Sequence, residues 1–419
     1  MSLAYYEPMF YIASEKMPFN IRVEVTLKNS VDGEMLSRAV NKAVIRYPYF
    51  KIKVVERSGE LVCEKNDLPV KVFSSKAIPP LFSAETDFLP VALSYTGNEI
   101  NFYASHIMTD GSGFFPFIKS TLYEYLCAYT GKRLDDTGIR LADSPLFDDE
   151  CSNPFPEEKI KDAEPFFIKK QNDFFRLRDG GHVTDDIKTV YRFCLDEAEV
   201  MHFNHDNDGS PCALISSLMA RAVESVHPDN KKDIVSAVSF NLRPGLGNKN
   251  SYRMLCSSID IPYPVRLLNE DVSKICTCSR GRVTLASQPE NVLYYAKELR
   301  RMLDGVGAMA GIAEKKAFLG KKSLEDSVNN TFSVSYVGRV GLGCLEPYIE
   351  SIYNITDGST YKTVFIEVSS VNGKFNIAFL QGFSSDIYYR AFLHQLSLCG
   401  LSYTQEGTEP FYIPDVILP

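Results

Sequence analysis

Two stretches of this sequence share one layout, and that layout limits the chain to folds in which strands lead directly into helices. EINFYASHIM, residues 99–108, alternates like a strand, TDGSG then breaks it, and an apolar run with helical spacing follows over 114–130. KFNIAFLQGFSSD, residues 374–386, repeats the layout and is followed by the helix-like IYYRAFLHQLSLCG. In this weak repeat, Gln381 falls where His106 stands in the first copy. The pattern predicts an α/β fold with two similar halves.

The first half opens with the same kind of alternation. NIRVEVTLK, residues 20–28, places its apolar residues on one face and predicts a strand. EMLSRAVNKAVIRYP, residues 34–48, has apolar residues at helical spacing and ends at a proline, so it predicts an amphipathic helix. FKIKVVE and ELVCEK then predict a hairpin that turns at Ser58-Gly59.

The second half repeats this order after a long connection. Residues 132–187 are rich in Pro, Asp, Gly and Lys, which is typical of a surface connection between two units. TVYRFCLDEAEV, residues 189–200, predicts a strand, and Ser210-Pro211 predict the start of a helix. Because 419 residues exceed one ordinary domain, we expect an N-terminal subdomain over 1–180 and a C-terminal subdomain over 181–419.

Composition and charge argue against several classes of protein. The chain has 45 basic and 53 acidic residues, which are scattered, so a nucleic-acid partner is not expected. No apolar window is long enough for a membrane span, and MSLAYYEPMF lacks the pattern of a signal peptide. The ten cysteines are therefore expected to be reduced thiols, with no metal site because Cys276 and Cys278 have no partner motif. We expect a cytoplasmic protein.

His106, one of six histidines, stands at the strand-to-helix junction. Neutral imidazole packs well in a core, so a structural role is one interpretation. The second is catalytic, because the glycines of TDGSG turn the chain and project the histidine into a gap, where imidazole can take a proton at neutral pH. Asp110 would then either orient the imidazole or brace the turn by pairing with an arginine elsewhere.

Three motifs carry a resemblance to a known family. HIMTDG, residues 106–111, matches an HxxxDG motif, VSFNLRP at 238–244 matches a mid-chain strand that ends in an arginine, and FSVSYVGRVGL at 332–342 matches a strand with a Ser-Asn-x-Gly element. In this order they resemble the acyltransferase superfamily that is similar to chloramphenicol acetyltransferase. That superfamily includes alcohol acetyltransferases, polyketide-associated acyltransferases and the condensation domains of peptide synthetases.

The resemblance implies a fold and an activity. The fold would be two chloramphenicol acetyltransferase-like subdomains, each a mixed α+β sheet flanked by helices, with a tunnel between them. The activity would be transfer of an acyl group from acyl-CoA, or from an acyl carrier protein, to a small-molecule alcohol or amine. Acyl-CoA would serve as a co-substrate, and no tightly bound cofactor or covalent enzyme intermediate would be needed.

The resemblance also implies roles for particular residues. His106 would be the general base, Asp110 would pair with Arg243, and Gly111 would allow close approach of the substrate or the pantetheine arm. Where relatives have Ser-Asn, this chain has Ser335-Tyr336, and either hydroxyl would replace the missing amide. That departure keeps an alternative open, a condensation-domain-like, carrier-dependent or catalytically degenerate binding module.

Overall fold

Both halves of the chain contain strands and helices in the computed structural model, which describes residues 7–13, 18–164, 173–327, 329–356 and 363–419. The strands are β1 (Asn20–Leu27), β2 (Ile52–Arg57), β3 (Glu60–Lys65), β4 (Val72–Phe73), β5 (Val91–Thr96), β6 (Glu99–Ser105), β7 (Thr189–Asp196), β8 (Ile234–Asn241), β9 (Cys256–Tyr263), β10 (Phe332–Arg339), β11 (Ile349–Thr356), β12 (Val364–Val371), β13 (Lys374–Gln381) and β14 (Tyr403–Pro410). The α-helices are α1 (Gly33–Ala43), α2 (Gly111–Thr130), α3 (Glu157–Ile160), α4 (Glu197–Asp206), α5 (Pro211–Val226), α6 (Arg243–Leu246), α7 (Val265–Leu268), α8 (Val272–Ala286), α9 (Pro289–Gly307), α10 (Gly311–Ser327) and α11 (Ile387–Leu398). Short 3-10 helices lie at Glu7–Ile12, Val44–Arg46, Pro48–Phe50, Ala84–Thr86, Leu177–Gly180 and Gly343–Tyr348.

A five-stranded sheet forms the first lobe, in the order β11-β1-β6-β5-β4. β1 runs antiparallel to both of its neighbours, and Val23 pairs with Phe102 on one side and with Asn354 on the other. β11 comes from the second half of the sequence, so the chain returns to complete the first sheet. The division into 1–180 and 181–419 stays a prediction, and β11 is the strand that crosses it.

A seven-stranded mixed sheet forms the second lobe, in the order β14-β7-β13-β12-β10-β8-β9. β10 lies parallel to β8 and β12, whereas the other pairs are antiparallel. Parallel neighbours need long crossover connections. The connection from β8 to β10 contains β9 and the helices α6 to α10, whereas the connection from β10 to β12 contains a 3-10 helix and β11 of the first sheet. The predicted fold class, mixed α/β sheets in two lobes, is confirmed.

Local sequence signals explain where several elements begin and end. The Asp32 side chain caps α1, whose apolar face is buried, as the spacing predicts. Ser58 and Gly59 have φ angles of 52° and 80° between β2 and β3, which makes the predicted tight turn. Ser210 caps α5, with Pro211 in its first turn. Gly131 ends α2 in the left-handed conformation.

Two predicted strands are too long. The strand predicted over 189–200 ends at Asp196, because the Asp196 side chain accepts the Glu199 N–H and starts α4. The strand predicted over 99–108 ends at Ser105, where the Met108 N–H bonds back to the Ser105 carbonyl in a turn. Alternating hydrophobicity continued past both ends because the turn after β6 and the first turn of α4 also bury residues.

The remaining features concern the connection, the repeat and the cysteines. In its described part, the connection over 132–187 has only short helical segments, α3 and a 3-10 turn, and residues 165–172 lie outside the described residues.

Gln381 ends β13, and its side-chain amide donates to the Phe383 and Ser385 carbonyls at the corner before α11. Each of the ten cysteines has a free thiol. No helix in the described ranges is both long and apolar enough to span a membrane.

Candidate active site

A cavity of about 560 Å³ lies between the two sheets. All six residues singled out in the sequence line it, namely His106, Asp110, Gly111, Arg243, Ser335 and Tyr336. β1 and β11 supply wall residues from the first sheet, and β8, β9, β10 and β12 supply them from the second. A larger groove of about 830 Å³, beside α1 and α2, contains none of the six. The fold therefore gathers residues that are up to 230 positions apart, from 106 to 336, around one cavity.

His106 follows β6 directly and is held on two sides. Its backbone N–H donates to the Phe19 carbonyl at 2.8 Å. The Phe19 ring stacks on the imidazole, with centroids 5.3 Å apart and planes inclined by 28°. Phe19 itself has a φ of 58°, a conformation that residues other than glycine rarely adopt and that often marks functional sites. The histidine ring is thus fixed in one orientation at the cavity wall.

One hydrogen bond fixes the tautomer of His106. Nδ1 lies 2.7 Å from the Thr109 carbonyl oxygen. A carbonyl only accepts, so Nδ1 carries the proton and Nε2 keeps its lone pair. Burial lowers the pKa of His106, although the Asp110 charge and the Thr109 carbonyl partly oppose this. The imidazole is therefore neutral near pH 7, with a basic nitrogen to offer to a bound molecule.

Asp110 does not orient the imidazole by a direct hydrogen bond. Its carboxylate caps α2 by accepting the Gly113 N–H at 2.9 Å, and it also accepts the Leu255 N–H at 2.8 Å. Arg243 donates to both carboxylate oxygens, at 2.7 and 2.9 Å. The aspartate thus joins the start of α2 to the segment between β8 and β9.

Arg243 has a partner for each of its guanidinium N–H groups. Besides Asp110, its acceptors are the Ser251 carbonyl at 3.0 Å, the Arg253 carbonyl at 2.5 Å and the Asn241 side-chain oxygen at 3.2 Å. It is 3 % exposed, so it has no donor left for a substrate. This geometry is that of a brace that holds the turn after His106.

The two glycines of the turn have different close neighbours. A Cβ on Gly113 would lie 2.1 Å from the Tyr252 carbonyl oxygen. Glycine at this position therefore lets the backbone at the start of α2 pack directly against the backbone of Tyr252. A Cβ on Gly111 would lie 3.1 Å from a Val337 methyl group. The close approach at Gly111 is therefore made by β10 of the second sheet, at the edge of the cavity.

Ser335 and Tyr336 stand next to each other on β10 but have different surroundings. The Tyr336 ring packs edge-on against Phe375, with centroids 5.6 Å apart, and burial raises the pKa of its hydroxyl. Ser335 pairs in register with Glu367 of β12, which also lines the cavity. The Ser335 hydroxyl donates a hydrogen bond to the Glu367 carboxyl.

Sequence reasoning missed Phe19 and Glu367. Phe19 precedes β1 and gives no sequence signal of a role. Glu367 gives one, because it is the acid in the middle of TVFIEVSSV, residues 363–371, a strand that is otherwise apolar or hydroxyl-bearing. It is 8 % exposed, and burial raises the pKa of its carboxyl to about 7. A carboxyl group buried in that way is a functional candidate.

Nucleophilic and metal chemistry have little support at this site. Cys256 lines the cavity, but burial and the charge of Asp110 raise the pKa of its thiol to about 12, so it is not a thiolate near neutral pH. In the described part of the chain, no group of three or more His, Cys, Asp or Glu side chains is arranged to hold a metal ion. The chemistry available is that of a neutral imidazole, hydroxyls and a buried acid.

Known proteins were compared with the chain at two levels. At the level of sequence, no family model and no curated protein matches. Polyketide synthase associated protein 5 from Mycobacterium tuberculosis aligns with 94% of this chain and 95% of its own, at a TM-score of 0.60 and 14% identity. The first condensation domain of the CDA synthetase aligns with 94% of this chain and 95% of its own, at 0.62 and 11%.

A third structure that is similar to this chain contains ligands. TRI101 from F. graminearum, complexed with coenzyme A and T-2 mycotoxin, aligns with 94% of this chain and 98% of its own. Its TM-score is 0.60 and its identity is 11%. The three alignments span nearly the whole of each chain, so the likeness concerns the complete two-lobed architecture. The chain therefore has the fold shared by these proteins, which confirms the chloramphenicol acetyltransferase-like fold predicted from HxxxDG.

Proposed function

We propose that this protein is an acyltransferase that moves an acyl group from a thioester, acyl-CoA or acyl carrier protein, to a hydroxyl or amine, with His106 as the general base. One observation carries the proposal: a neutral histidine of fixed tautomer lines a cavity between the two lobes. A general base has to be unprotonated near neutral pH and held in place, and His106 meets both conditions.

The proposed reaction needs no covalent enzyme intermediate. Nε2 of His106 takes the proton from the acceptor hydroxyl or amine as its oxygen or nitrogen attacks the thioester carbonyl carbon. The tetrahedral oxyanion then collapses, the carbon–sulfur bond breaks, and the imidazolium returns the proton to the departing thiolate. The Ser335 hydroxyl is the proposed donor to the oxyanion. All bonds and charges balance without a metal or a bound cofactor.

The other site residues would act through His106. Asp110 and Arg243 would be positioning residues, because their bidentate pair joins the turn that presents His106 to the second lobe. Gly111 would keep that turn close to Val337 at the cavity edge. Phe19 would hold the imidazole plane. The roles divide between one base, one oxyanion donor and a supporting frame.

The structures of similar fold support the class of donor. TRI101 was crystallised with coenzyme A and T-2 mycotoxin, and the CDA synthetase structure is a condensation domain. A cavity of about 560 Å³ is within the range that small-molecule sites occupy. We propose acyl-CoA as co-substrate, a small alcohol or amine as acceptor, and action in the cytoplasm.

A second candidate function rests on one difference between this sequence and the Ser-Asn-x-Gly element. Tyr336 stands where relatives with a Ser-Asn-x-Gly element have an amide, and its ring is packed against Phe375. A site without that amide is consistent with a carrier-dependent domain or with a module that binds a thioester and does not turn it over. The intact His106 and its braced turn favour the enzyme.

The test is release of free thiol from acyl donors by the purified full chain. Acetyl-CoA, longer acyl-CoAs and carrier-bound acyl groups are each supplied with and without pooled alcohols and amines. The proposal predicts release that depends on an acceptor. Binding of CoA without release from any donor would overturn it and favour the binding module.

A further inference from the structure

Glu367 is an acid in the cavity wall that forms no ion pair with any residue in the described part of the chain. Its Oε2 is buried and has no hydrogen-bond partner among the described residues. The other three buried charged residues that line this cavity are paired: Arg243 with Asp110, and Arg22 with Glu24. A buried carboxyl oxygen without a partner costs free energy, so its presence in a cavity wall points to a ligand.

The neighbours of Glu367 supply no cation. Ser335 pairs with it in register from β10 and donates a hydrogen bond from its hydroxyl to the carboxyl, and Ala378 pairs with it from β13. The thiols of Cys212 and Cys256 lie close enough for its charge to raise their pKa, and both thiols, with a pKa of about 12, are neutral. The pKa of Glu367 reflects burial, which raises it, and the Ser335 hydrogen bond, which opposes that rise; the other titratable groups of the wall, His106, Asp110, Arg22 and Arg243, are not among its causes. Oε2 of the carboxyl is thus left to accept a hydrogen bond from a ligand.

The donor thioester is a poor partner for this carboxyl. The nucleotide end of coenzyme A carries phosphate charges that a carboxylate repels, and the thioester end is neutral. The acceptor is the remaining molecule, and a basic amine supplies both a charge and several N–H donors. Charge-assisted hydrogen bonds of this kind are roughly twice as strong as neutral ones.

We propose that Glu367 is a specificity-determining residue that binds a protonated amine on the acceptor, while a separate hydroxyl or amine of the same molecule reacts at His106. The preferred acceptor is then an amino alcohol or a diamine and not a neutral alcohol. This inference rests on the acyltransferase function proposed above and extends it to the class of acceptor.

The test compares two acceptors that differ in one group, hexanol and its ω-amino derivative. kcat/KM is measured for both with wild type, with E367Q and with E350Q, a matched change at an exposed glutamate on β11. Wild type and E350Q are expected to prefer the amino alcohol by about tenfold or more, through KM. E367Q is expected to lose that preference. An equal preference in all three proteins, or a wild-type preference for hexanol, would overturn the inference.

A pH series separates recognition from a structural role. Burial raises the pKa of Glu367 to about 7, so the carboxyl ionises as the pH rises through that value, while a primary amine with a pKa of about 10 stays protonated. The wild-type preference for the amino alcohol is therefore expected to grow between about pH 6 and about pH 8. The ratio cancels the titration of His106. A flat ratio in wild type would contradict the inference.

Failure of the proposed acyltransferase function can be distinguished from failure of the proposed amine site. If wild type releases no thiol with any donor, the proposed function fails, and binding of the amino alcohol is measured by calorimetry instead. Loss of that binding in E367Q, but not in E350Q, would still support an amine site at Glu367. Equal binding to all three proteins would overturn it.

Discussion

Asp110 and Arg243, 133 positions apart in the sequence, are joined by two hydrogen bonds of 2.7 and 2.9 Å and are both almost fully buried. The pair links the turn after His106 in the first lobe to the segment after β8 in the second. Because Asp110 also caps α2, one carboxylate fixes the start of the helix, the turn and the contact between lobes. The position of His106 thus depends on a bond from the other half of the chain.

Removal of Arg243 is expected to destabilise the fold and slow the reaction. R243A leaves the Asp110 carboxylate buried without its cation, which should lower the free energy of unfolding by about 3–5 kcal/mol. R243K should recover only part of that loss, because one ammonium cannot donate to both carboxylate oxygens and to three further acceptors. Chemical denaturation measures the change. R280A, at an exposed ion pair with Asp208, is the control, and an equal loss in both alanine variants would contradict the brace.

The two glycines of the turn provide a matched pair. Gly→Ala within a helix normally gains about 1 kcal/mol. At Gly113 the added methyl group would overlap the Tyr252 carbonyl, so G113A should lower the free energy of unfolding by about 3 kcal/mol. At Gly111 the neighbour is a movable Val337 methyl group, so G111A should stay within about 1 kcal/mol of wild type. Thermal unfolding compares them, and the reverse order would contradict the packing described.

Ser335 and Tyr336 offer a comparison between two adjacent hydroxyls. If the Ser335 hydroxyl donates to the oxyanion, S335A should lower kcat by about 10²-fold. Y336F keeps the ring against Phe375 and removes only a hydroxyl, so kcat should change by less than about threefold. Steady-state kinetics with one acyl-CoA and one acceptor decide between them. A larger loss in Y336F would assign the donor to the tyrosine.

The pH dependence of kcat/KM follows from the state of His106. The base works only when unprotonated, so activity is present above its pKa and is lost as the pH falls through it. Burial lowers that pKa from its ordinary value of 6.5, so the half-point of the acid limb should lie below 6.5. A neutral alcohol is used as acceptor so that Glu367 recognition does not contribute. A half-point above about 7 would contradict a buried neutral histidine.

Much of the fold was predictable because its signals are local. The alternation in β1, the spacing in α1 and the caps at Asp32 and Ser210 each depend on a few neighbouring residues. The errors at the ends of β6 and β7 arose where a strand runs directly into a turn or helix that also buries apolar residues. The order of strands within the two sheets, including β11 in the first, has no local signal.

Only those site residues that occur within a sequence motif could be predicted. His106, Asp110 and Arg243 occur within motifs, and the structure places them together at the cavity. Phe19 and Glu367 occur in no motif. Phe19 matters because its ring stacks on the His106 imidazole, and Glu367 matters because its Oε2 is buried at the cavity without a hydrogen-bond partner among the described residues. The hydrogen bond that sets the histidine tautomer is likewise a property of the turn's geometry.

The most direct test of the central claim is kcat/KM for acceptor-dependent thiol release by H106A and wild type. H202A, which changes an exposed histidine on α4, is the matched control, and circular dichroism verifies that all three proteins are folded. If His106 is the general base, H106A loses about 10²–10⁴-fold in kcat/KM and H202A matches wild type. A folded H106A that turns over at the wild-type rate would contradict the account.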